Sequence, residues 1–137
     1  GARAPMQWNA GKNKGFSETD GELYLPVDAD PNAPTVEAQE KDPGSMLNFV
    51  RGLIALRQAN ADLGNYSPFQ VYSAEEGSRV FAYKRGELLV AMNPGVDTEE
   101  LMLDGAYESI YALGVSIVRD DKLTLGSQSF VVLKPIC

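Results

Sequence analysis

The 137-residue sequence contains no histidine, and its single cysteine, Cys137, is the last residue. The lack of histidine excludes Ser/His and Cys/His nucleophile pairs, together with zinc sites that use an imidazole ligand. One thiol can form neither an internal disulfide nor a thiolate metal site. We therefore expect no bound metal, no cofactor and no disulfide framework.

Positive charge is also scarce, because 12 Lys and Arg stand against 19 Asp and Glu, which gives a formal net charge of −7. A nucleic-acid-binding domain would be basic, and scattered lysines and arginines do not suit an anionic membrane surface. No stretch approaches the ~20 consecutive apolar residues of a transmembrane helix. No signal peptide opens the chain, although a truncated start would hide one. These features predict no nucleic-acid partner, no membrane contact and a cytoplasmic location.

The strongest periodic pattern is an amphipathic segment from Ser45 to Ala59. Its main apolar residues recur at intervals of three and four, at Met46, Phe49, Val50 and Leu53. This spacing predicts a helix with a broad buried face. Ser45 can cap its first turn, and Asn60 can close it in the left-handed conformation.

The two flanks of this helix differ. Residues 1–44 show almost no periodicity, apart from one helical turn expected at 35–39 with Thr35 as its cap. To bury its wide apolar face, such a helix needs a packing partner larger than the loops that border it on either side. We therefore expect the chain to begin inside a domain whose larger part lies outside it.

Beyond the helix, apolar residues alternate with period two in short runs separated by Gly and Pro turns. The runs are at 69–71, 80–83, 88–92, 101–103, 107–113, 123–125 and 129–133. The short link Arg85-Gly86-Glu87 between two of them is typical of a hairpin. About seven short strands predict a mainly β fold, an antiparallel β-sandwich preceded by one helix and an irregular segment.

Acidic residues offer few catalytic or metal-binding candidates. Adjacent carboxylates lie in or near turns, at 75–76, 99–100 and 120–121. Acid–base catalysis needs two carboxylates that converge on one bond, so we interpret these pairs as solvated turn charges. The string Asp28-x-Asp30-x-Asn32 resembles the start of a calcium loop, but Ala33 replaces the required glycine. A structural loop is favoured.

Aromatic residues could form sugar-stacking platforms, but core or interface positions are favoured for most of them. This interpretation applies to Tyr24, Tyr66, Phe69 and Tyr72. Trp8 differs, because Arg3, Gln7 and Trp8 place a guanidinium, an amide and an indole in one aperiodic segment. Composition leaves open whether this segment is the wall of a ligand site or only an irregular connection.

The same segment carries a family resemblance. GARAPMQW, followed by Gly15-Phe16 and by LPV at 25–27, resembles the ARTPMQW…GF…W-x-x-V string of glycoside hydrolase family 13 alpha-glucosidases. These include oligo-1,6-glucosidases, dextran glucosidases and trehalose synthases. The resemblance continues through the LIALR run at 53–57 and covers about residues 2–57. The strand region resembles the family only in its type of structure, because members of the family end in a small antiparallel domain.

The resemblance implies a larger parent protein, a retaining alpha-glucosidase that acts on short alpha-glucosides. Residues 1–60 would then be the end of a (β/α)8 catalytic barrel, and residues 61–137 a C-terminal antiparallel β-sandwich domain. The family's nucleophile, acid/base and third carboxylate all lie upstream, so we expect no catalytic residue in this chain. Its main partner would be the missing barrel, and by itself it would not be an enzyme.

The resemblance also implies roles for individual residues. Arg3 matches the family arginine at the −1 subsite, which binds glucose and pairs with an upstream aspartate. Gln7 and Trp8 match the same motif and would shape or support that wall. Ala4 replaces the usual threonine, and Asn9 replaces the usual aspartate. The sequence therefore does not decide which glucoside linkage the parent prefers, or whether it hydrolyses or isomerises its substrate.

Two other functions compete with this one. The chain could be a freestanding carbohydrate-binding β-sandwich module that uses aromatic residues of the sandwich face. It could also be a structural domain that stabilises a barrel through the helix face, a role compatible with the first. Without the barrel, we expect the uncovered helix face to drive dimerisation or to stay partly disordered.

Overall fold

A computed structural model describes residues 3–136, and Cys137 therefore lies outside the described residues. The chain forms two compact units, residues 1–55 and residues 56–137. The division at residue 60 expected from the family resemblance stays a prediction. Among the described residues, no helix has the length and apolar character needed to cross a membrane.

The first unit contains a 3-10 turn at Lys12–Gly15, the helix α1 at Val36–Lys41 and most of the helix α2 at Met46–Ala59. α1 begins where predicted, because the Thr35 hydroxyl accepts the Ala38 N–H at 3.2 Å. This bond satisfies one of the free N–H groups that every helix start exposes.

The predicted helix α2 is confirmed, together with its cap. Ser45 Oγ accepts the Asn48 N–H at 3.3 Å and donates its own proton to the Gln39 carbonyl at 2.6 Å. The apolar face that defines the helix is not buried, however. Met46, Val50 and Ile54 form a stripe whose side chains are 67, 43 and 52% exposed.

The prediction that Asn60 closes α2 in the left-handed conformation is wrong. Its backbone is extended, with φ −124° and ψ 108°. The side-chain amide instead donates to the Leu56 carbonyl at 2.7 Å. Because the side chain itself satisfies a free carbonyl of the last turn, no positive φ is needed, and the chain continues into a 3-10 turn at Ala61–Leu63.

The described part of the second unit contains eight strands, all paired antiparallel. They are β1 Phe69–Ser73, β2 Phe81–Arg85, β3 Leu88–Asn93, β4 Glu99–Met102, β5 Tyr107–Leu113, β6 Ser116–Arg119, β7 Lys122–Leu125 and β8 Ser129–Pro135. One sheet has the order β1-β2-β3-β8-β5, and the other has the order β4-β7-β6. The predicted mainly β, antiparallel architecture is confirmed.

The β2–β3 hairpin has the predicted glycine in its turn, Gly86, with φ +54°. β6 was not predicted, because the string Ser-Ile-Val-Arg does not alternate between apolar and polar residues. One acidic pair was also misplaced, since Glu99 and Glu100 lie within β4 rather than in a turn. There the Glu100 carboxylate pairs with Lys122 of β7 at 2.9 Å.

The core of the second unit takes residues from both sheets. Leu89 of β3 and Leu133 of β8 cluster with Leu123 and Leu125 of β7, and all four are fully buried. A second cluster surrounds Val90 and includes side chains from the end of α2 and the following turn, Leu56 and Leu63. Apolar burial of this kind is the main stabilising term of a small domain.

Candidate functional site

The segment that contains Arg3, Gln7 and Trp8 is irregular, and α1 holds its main chain. The Gln7 carbonyl accepts the Val36 N–H at 3.0 Å, and the Trp8 carbonyl accepts the Glu37 N–H at 2.9 Å. These N–H groups belong to the first turn of α1, where a helix offers them no internal partner. The segment and the helix therefore fix each other.

The three predicted site residues differ in their surroundings. Arg3 is exposed and forms no ion pair within residues 3–136. Trp8 is 49% exposed, which leaves part of the indole available for stacking. Gln7 is partly buried, and its Oε1 atom is shielded from solvent with no hydrogen-bond partner among the described residues.

A tight turn follows the segment and holds its end. The N–H groups of Trp8 and Asn9 both donate to the Lys14 carbonyl, at 2.8 and 3.2 Å. Gly15 has φ +72°, and a Cβ atom there would lie 2.6 Å from Asn9 Nδ2. A side chain at this positive φ would be strained, which gives Gly15 of the GF dipeptide a structural role. Asn9, which replaces the aspartate of the family motif, accepts the Gly11 N–H at 2.8 Å.

A small apolar pocket of about 180 Å³ lies in the same unit. Its lining is formed by Ala4, Pro5, Phe16, Leu23, Tyr24 and Leu25. Pockets that enclose a ligand usually measure about 300–1,000 Å³, so this depression can touch a sugar ring but cannot surround one.

The favoured core position is wrong for three of the aromatic residues. Tyr24 and Tyr66 are 98 and 101% exposed, and Phe69 is 56% exposed. Tyr24 lies in an irregular segment, and Phe69 lies on the edge strand β1. The sequence did contain one signal for the pocket, the apolar string LYLPV inside an otherwise polar loop.

The acidic loop at 28–32 forms two turns with its own side chains. The Asp28 carboxylate accepts the Asp30 N–H at 2.9 Å, and the Asp30 carboxylate accepts the Asn32 N–H at 2.8 Å. Both carboxylates are therefore used in consecutive turns of the kind that aspartate favours. In the part of the chain that the structure describes, no cluster of three potential metal ligands occurs.

A second polar cluster lies in the second unit and contains Lys84, Asp104, Tyr107 and Tyr72. Asp104 accepts hydrogen bonds from Lys84 Nζ at 2.6 Å and from the Tyr107 hydroxyl at 2.7 Å. The Tyr72 hydroxyl donates to the Met102 carbonyl at 3.1 Å, and Lys84 Nζ lies 5.3 Å from the centre of the Tyr72 ring.

The pKa shifts in this cluster favour the ion pair over proton transfer. The hydrogen bond from Lys84 lowers the pKa of Asp104, and the same bond raises the pKa of Lys84. Burial raises the pKa values of Tyr107 and Tyr72. An acid–base catalyst needs a pKa near the working pH, whereas these shifts move each group further from neutrality. The cluster is a structural network.

Comparisons with known proteins agree with the resemblance of the N-terminal segment. Residues 1–65 match the family model described as alpha amylase, catalytic domain. The chain is 52% identical over 62 residues to a probable oligo-1,6-glucosidase 2 of Bacillus subtilis, a match that covers 45% of this chain and 11% of the relative. It is 31% identical over 115 residues to a glucan 1,6-alpha-glucosidase of Streptococcus pneumoniae, covering 80% of this chain and 20% of the relative.

A solved structure extends the similarity into the second unit. The isomaltulose synthase of Erwinia rhapontici matches 95% of this chain with a TM-score of 0.78 and 26% identity, over 24% of its own length. The chain thus spans between about a tenth and a quarter of the length of these proteins. The family resemblance predicted from GARAPMQW and the strings that follow it is confirmed: the chain is similar to members of the alpha-amylase family, glycoside hydrolase family 13, whose catalytic-domain model matches residues 1–65.

Proposed function

We propose that this chain is the C-terminal part of a retaining alpha-glucosidase that acts on short alpha-glucosides, and that it supplies Arg3 to the −1 glucose subsite. The names of the relatives support the substrate class, since they include oligo-1,6-glucosidases and a glucan 1,6-alpha-glucosidase. The small share of each relative that the chain spans supports the larger parent.

The observation that carries the proposal is the free guanidinium of Arg3 on an anchored segment. Arg3 is exposed and unpaired within residues 3–136, while two carbonyl–amide bonds to α1 hold the main chain at Gln7 and Trp8. A guanidinium donates in a fixed fork to hydroxyls or to a carboxylate. In the parent, Arg3 would hold the glucose at the −1 subsite and pair with the upstream aspartate.

Gln7 and Trp8 would support the wall of the same subsite. The half-exposed indole of Trp8 offers an apolar face, and its main chain is held on both sides. The nucleophile and the acid/base of the retaining reaction would come from the barrel, so this chain orients the substrate and does not supply either group.

The proposed domain division places the end of the barrel at residues 1–60 and a β-sandwich at 61–137. The cluster of Leu89, Leu133, Leu123 and Leu125, which takes residues from both sheets, supports the sandwich. The exposed stripe of α2 supports packing of the chain on the barrel, because an apolar helix face is stable when another element covers it. A cytoplasmic location and a dimer through this face stay predictions.

A chimera tests the proposal. The barrel of the Bacillus subtilis relative, cut where its match to this chain begins, is fused to residues 1–137 and assayed with isomaltose and an aryl alpha-glucoside. We expect activity in the chimera, none in the chain alone, and a loss of about 10- to 100-fold in kcat/KM for Arg3→Ala, as for one charged hydrogen bond. The matched control Arg119→Ala, at the exposed end of β6, leaves activity unchanged.

Two results would contradict the proposal. Turnover by the pure 137-residue chain would show that it needs no barrel. Equal activity of the Arg3→Ala and Arg119→Ala chimeras would remove Arg3 from the subsite. The freestanding carbohydrate-binding module is not favoured, and saturable heat from maltooligosaccharides in calorimetry of the chain alone would be needed to revive it.

A further inference from the structure

The five-stranded sheet is apolar on both of its faces. Leu89 and Leu133 lie on one face, where they join the core shared with the three-stranded sheet. Residues that alternate with them along β3 and β8, such as Val90 and Val132, point to the opposite face, which we call the outer face. β3 therefore has five consecutive apolar residues, at 88–92, instead of the alternation expected for a strand with one face in water.

Two rows of apolar side chains cross the outer face, because residues at paired positions of neighbouring strands share one face of a sheet. The first row crosses all five strands, in the order Val71, Tyr83, Val90, Val132 and Tyr111. The second row crosses four strands, in the order Phe81, Met92, Phe130 and Leu113. No charged or amide side chain interrupts either row, so the outer face is one continuous apolar surface.

The described chain covers the middle of this surface but not its two edges. Val90 and Val132 are each 2% exposed, and Leu56 at the end of α2 and Leu63 in the following turn pack against their cluster. At the edges, Val71 is 51% exposed and Leu113 is 48% exposed. A contiguous apolar surface that stays open in this way is typical of a contact site for another protein surface.

The three-stranded sheet has a different outward face. Glu100 of β4 pairs there with Thr124 of β7, and Met102 pairs with Lys122. Lys122 Nζ also lies 2.9 Å from Glu100 Oε2, so an ion pair crosses the two strands. This mixture is expected for an antiparallel sheet with water on one side. The two outward faces of the second unit therefore suit different surroundings, water for one and apolar protein for the other.

We propose that the outer face of the five-stranded sheet is the surface by which this chain packs on the catalytic barrel of its parent. This inference rests on the proposed function, which supplies the barrel. The two rows would pack against an apolar surface of the barrel. The second unit would then be a fixed part of the enzyme and not a module on a flexible tether.

Two observations favour the barrel as the occupant of the outer face. The chain enters the second unit across this face, because Leu56 and Leu63 pack on it, and the upstream part of the parent is attached at that end. The upstream part is also large enough to cover the face, because the chain spans 24% of the isomaltulose synthase that it matches in structure.

A sugar suits the outer face less well, although the face is rich in aromatic residues. The rings of Phe69 and Tyr83 are tilted by 33°, with centroids 5.2 Å apart. The rings of Phe81 and Tyr83 are tilted by 39°, with centroids 5.7 Å apart. Rings that pack against each other at such angles stabilise the surface, but they offer no flat platform on which a sugar ring could stack.

Hydroxyl-radical footprinting tests the proposal, because it measures the exposure of aromatic and methionine side chains by their oxidation. The chain alone is compared with the chimera described above, each at a concentration where sedimentation shows a monomer. The two reporter rings, Phe69 and Tyr83, should lose about fivefold in reactivity in the chimera, because the core of an interface excludes water. Met102, which is 57% exposed on the three-stranded sheet, is the internal control and should react equally in both proteins.

A pair of charged substitutions tests whether the contact is apolar. Val71→Lys with Leu113→Lys places charges at the two open edges, and an unpaired charge is costly to bury in an apolar contact. In the chimera, the reactivity of the reporter rings should rise by about threefold or more. The matched control is Met102→Lys with Ile117→Lys, at half-exposed residues of the other sheet, and it should leave the rings protected. The urea midpoint of the chain alone should change no more with the first pair than with the control pair.

Each remaining outcome decides between occupants. Equal reactivity of the reporter rings in the chain and in an active chimera would overturn this inference and leave the proposed function standing. Protection that depends on the concentration of the chimera, with a dimer in sedimentation, would identify a second copy as the occupant. Protection of the chain alone by maltooligosaccharides would identify a sugar platform. An inactive chimera would count against the proposed function, while the footprint would still decide whether the barrel covers the outer face.

Discussion

Lys84 Nζ lies 2.6 Å from Asp104 Oδ2, and this ion pair ties the strand β2 to the connection between β4 and β5. The Tyr107 hydroxyl donates to the other carboxylate oxygen of Asp104 at 2.7 Å. One carboxylate therefore links β2, the connection between β4 and β5, and β5 itself. Because half of the Asp104 side chain is exposed, water screens the pair and limits its contribution to stability.

Asp104→Asn should therefore lower the free energy of unfolding by only about 1 kcal/mol, through the weakened ion pair and the altered bond to Tyr107. Urea denaturation at pH 7 measures this difference. The control is Asp97→Asn, in the more exposed pair with Arg79, and it should change stability by less than about 0.5 kcal/mol. An equal loss in the two variants would contradict the role of the network.

The stability of this network should also depend on pH in two separate windows. The folded pKa of Asp104 is lowered, so its contribution is present above the unfolded value of 3.8 and is lost as the pH falls through the folded value. The folded pKa values of Lys84 and Tyr107 are raised, so their contributions are present below their unfolded values of 10.5 and 10.0 and are lost as the pH rises through the folded ones.

The difference in stability between the chain and Asp104→Asn should therefore be constant from about pH 5 to pH 9 and should shrink below about pH 3.8. Urea midpoints measured across this range test it. A difference that persists unchanged at pH 2 would show that the Asp104 carboxylate is not the group that titrates.

Asn93 is a second residue whose side chain joins separate elements. It is fully buried, and its amide nitrogen donates to the carbonyls of Asp97 and Gly126 at 2.8 and 2.9 Å, while Oδ1 accepts the Gly95 N–H at 2.9 Å. Asn93→Ala should lower the free energy of unfolding by about 2–4 kcal/mol, because it leaves buried polar groups unpaired.

Asn93→Asp should destabilise the chain at neutral pH at least as strongly, because a carboxylate cannot donate to carbonyl oxygens. Protonation supplies one donor, and burial against carbonyl oxygens should raise the folded pKa of the new carboxyl, so the variant should recover part of the loss as the pH falls from 7 to about 4. Denaturation curves of both variants at pH 7 and pH 4 separate these effects. A stable Asn93→Asp variant at pH 7 would show that the amide does not act as a donor.

Gly86, in the β2–β3 turn, should tolerate no side chain. A Cβ atom there would lie 2.2 Å from Asp62 Oδ1, and the residue has φ +54°. Gly77 offers a matched control, because it also has a positive φ, +88°, and a Cβ atom added to it would meet no other atom within 4 Å. Gly77→Ala should cost about 1 kcal/mol from backbone conformation alone, and Gly86→Ala distinctly more.

Thermal unfolding of the two variants measures the difference between them. If Gly86→Ala costs no more than Gly77→Ala, then Asp62 moves aside freely and does not clamp the hairpin turn. Asp62→Ala in the Gly86→Ala background should recover the part of the loss that comes from the clash, although it also removes the bond from the Glu87 N–H.

The elements that could be predicted from the sequence are those specified by local spacing. The helix α2 follows from apolar residues three and four positions apart, and the β2–β3 hairpin follows from two apolar runs around Gly86. β6 has no such pattern. The position of β8 between β3 and β5 depends on pairing across distant segments, about which alternation carries no information.

In the candidate site, too, some features follow from the local sequence and others do not. Residue types and a family motif single out the segment with Arg3, Gln7 and Trp8, and the role of these residues in a site stays a prediction. Its anchoring to α1 was not predictable, because it consists of backbone bonds between residues about thirty positions apart in the chain, Gln7 to Val36 and Trp8 to Glu37. The exposure of Tyr24 was missed because composition alone does not tell whether another element covers an irregular segment.

The exposed stripe of α2 should drive self-association of the chain when no barrel is present. Met46, Val50 and Ile54 expose apolar surface on one helix face, and burying such surface yields roughly 25 cal/mol per Å². Sedimentation velocity should show a dimer that dissociates on dilution, and the triple substitution Met46→Gln, Val50→Gln, Ile54→Gln should give a monomer. Val96→Gln, at a residue 73% exposed between β3 and β4, is the control and should leave the dimer intact. A monomer with fully protected α2 amides would contradict the prediction, because the helix face would then be stable without any partner.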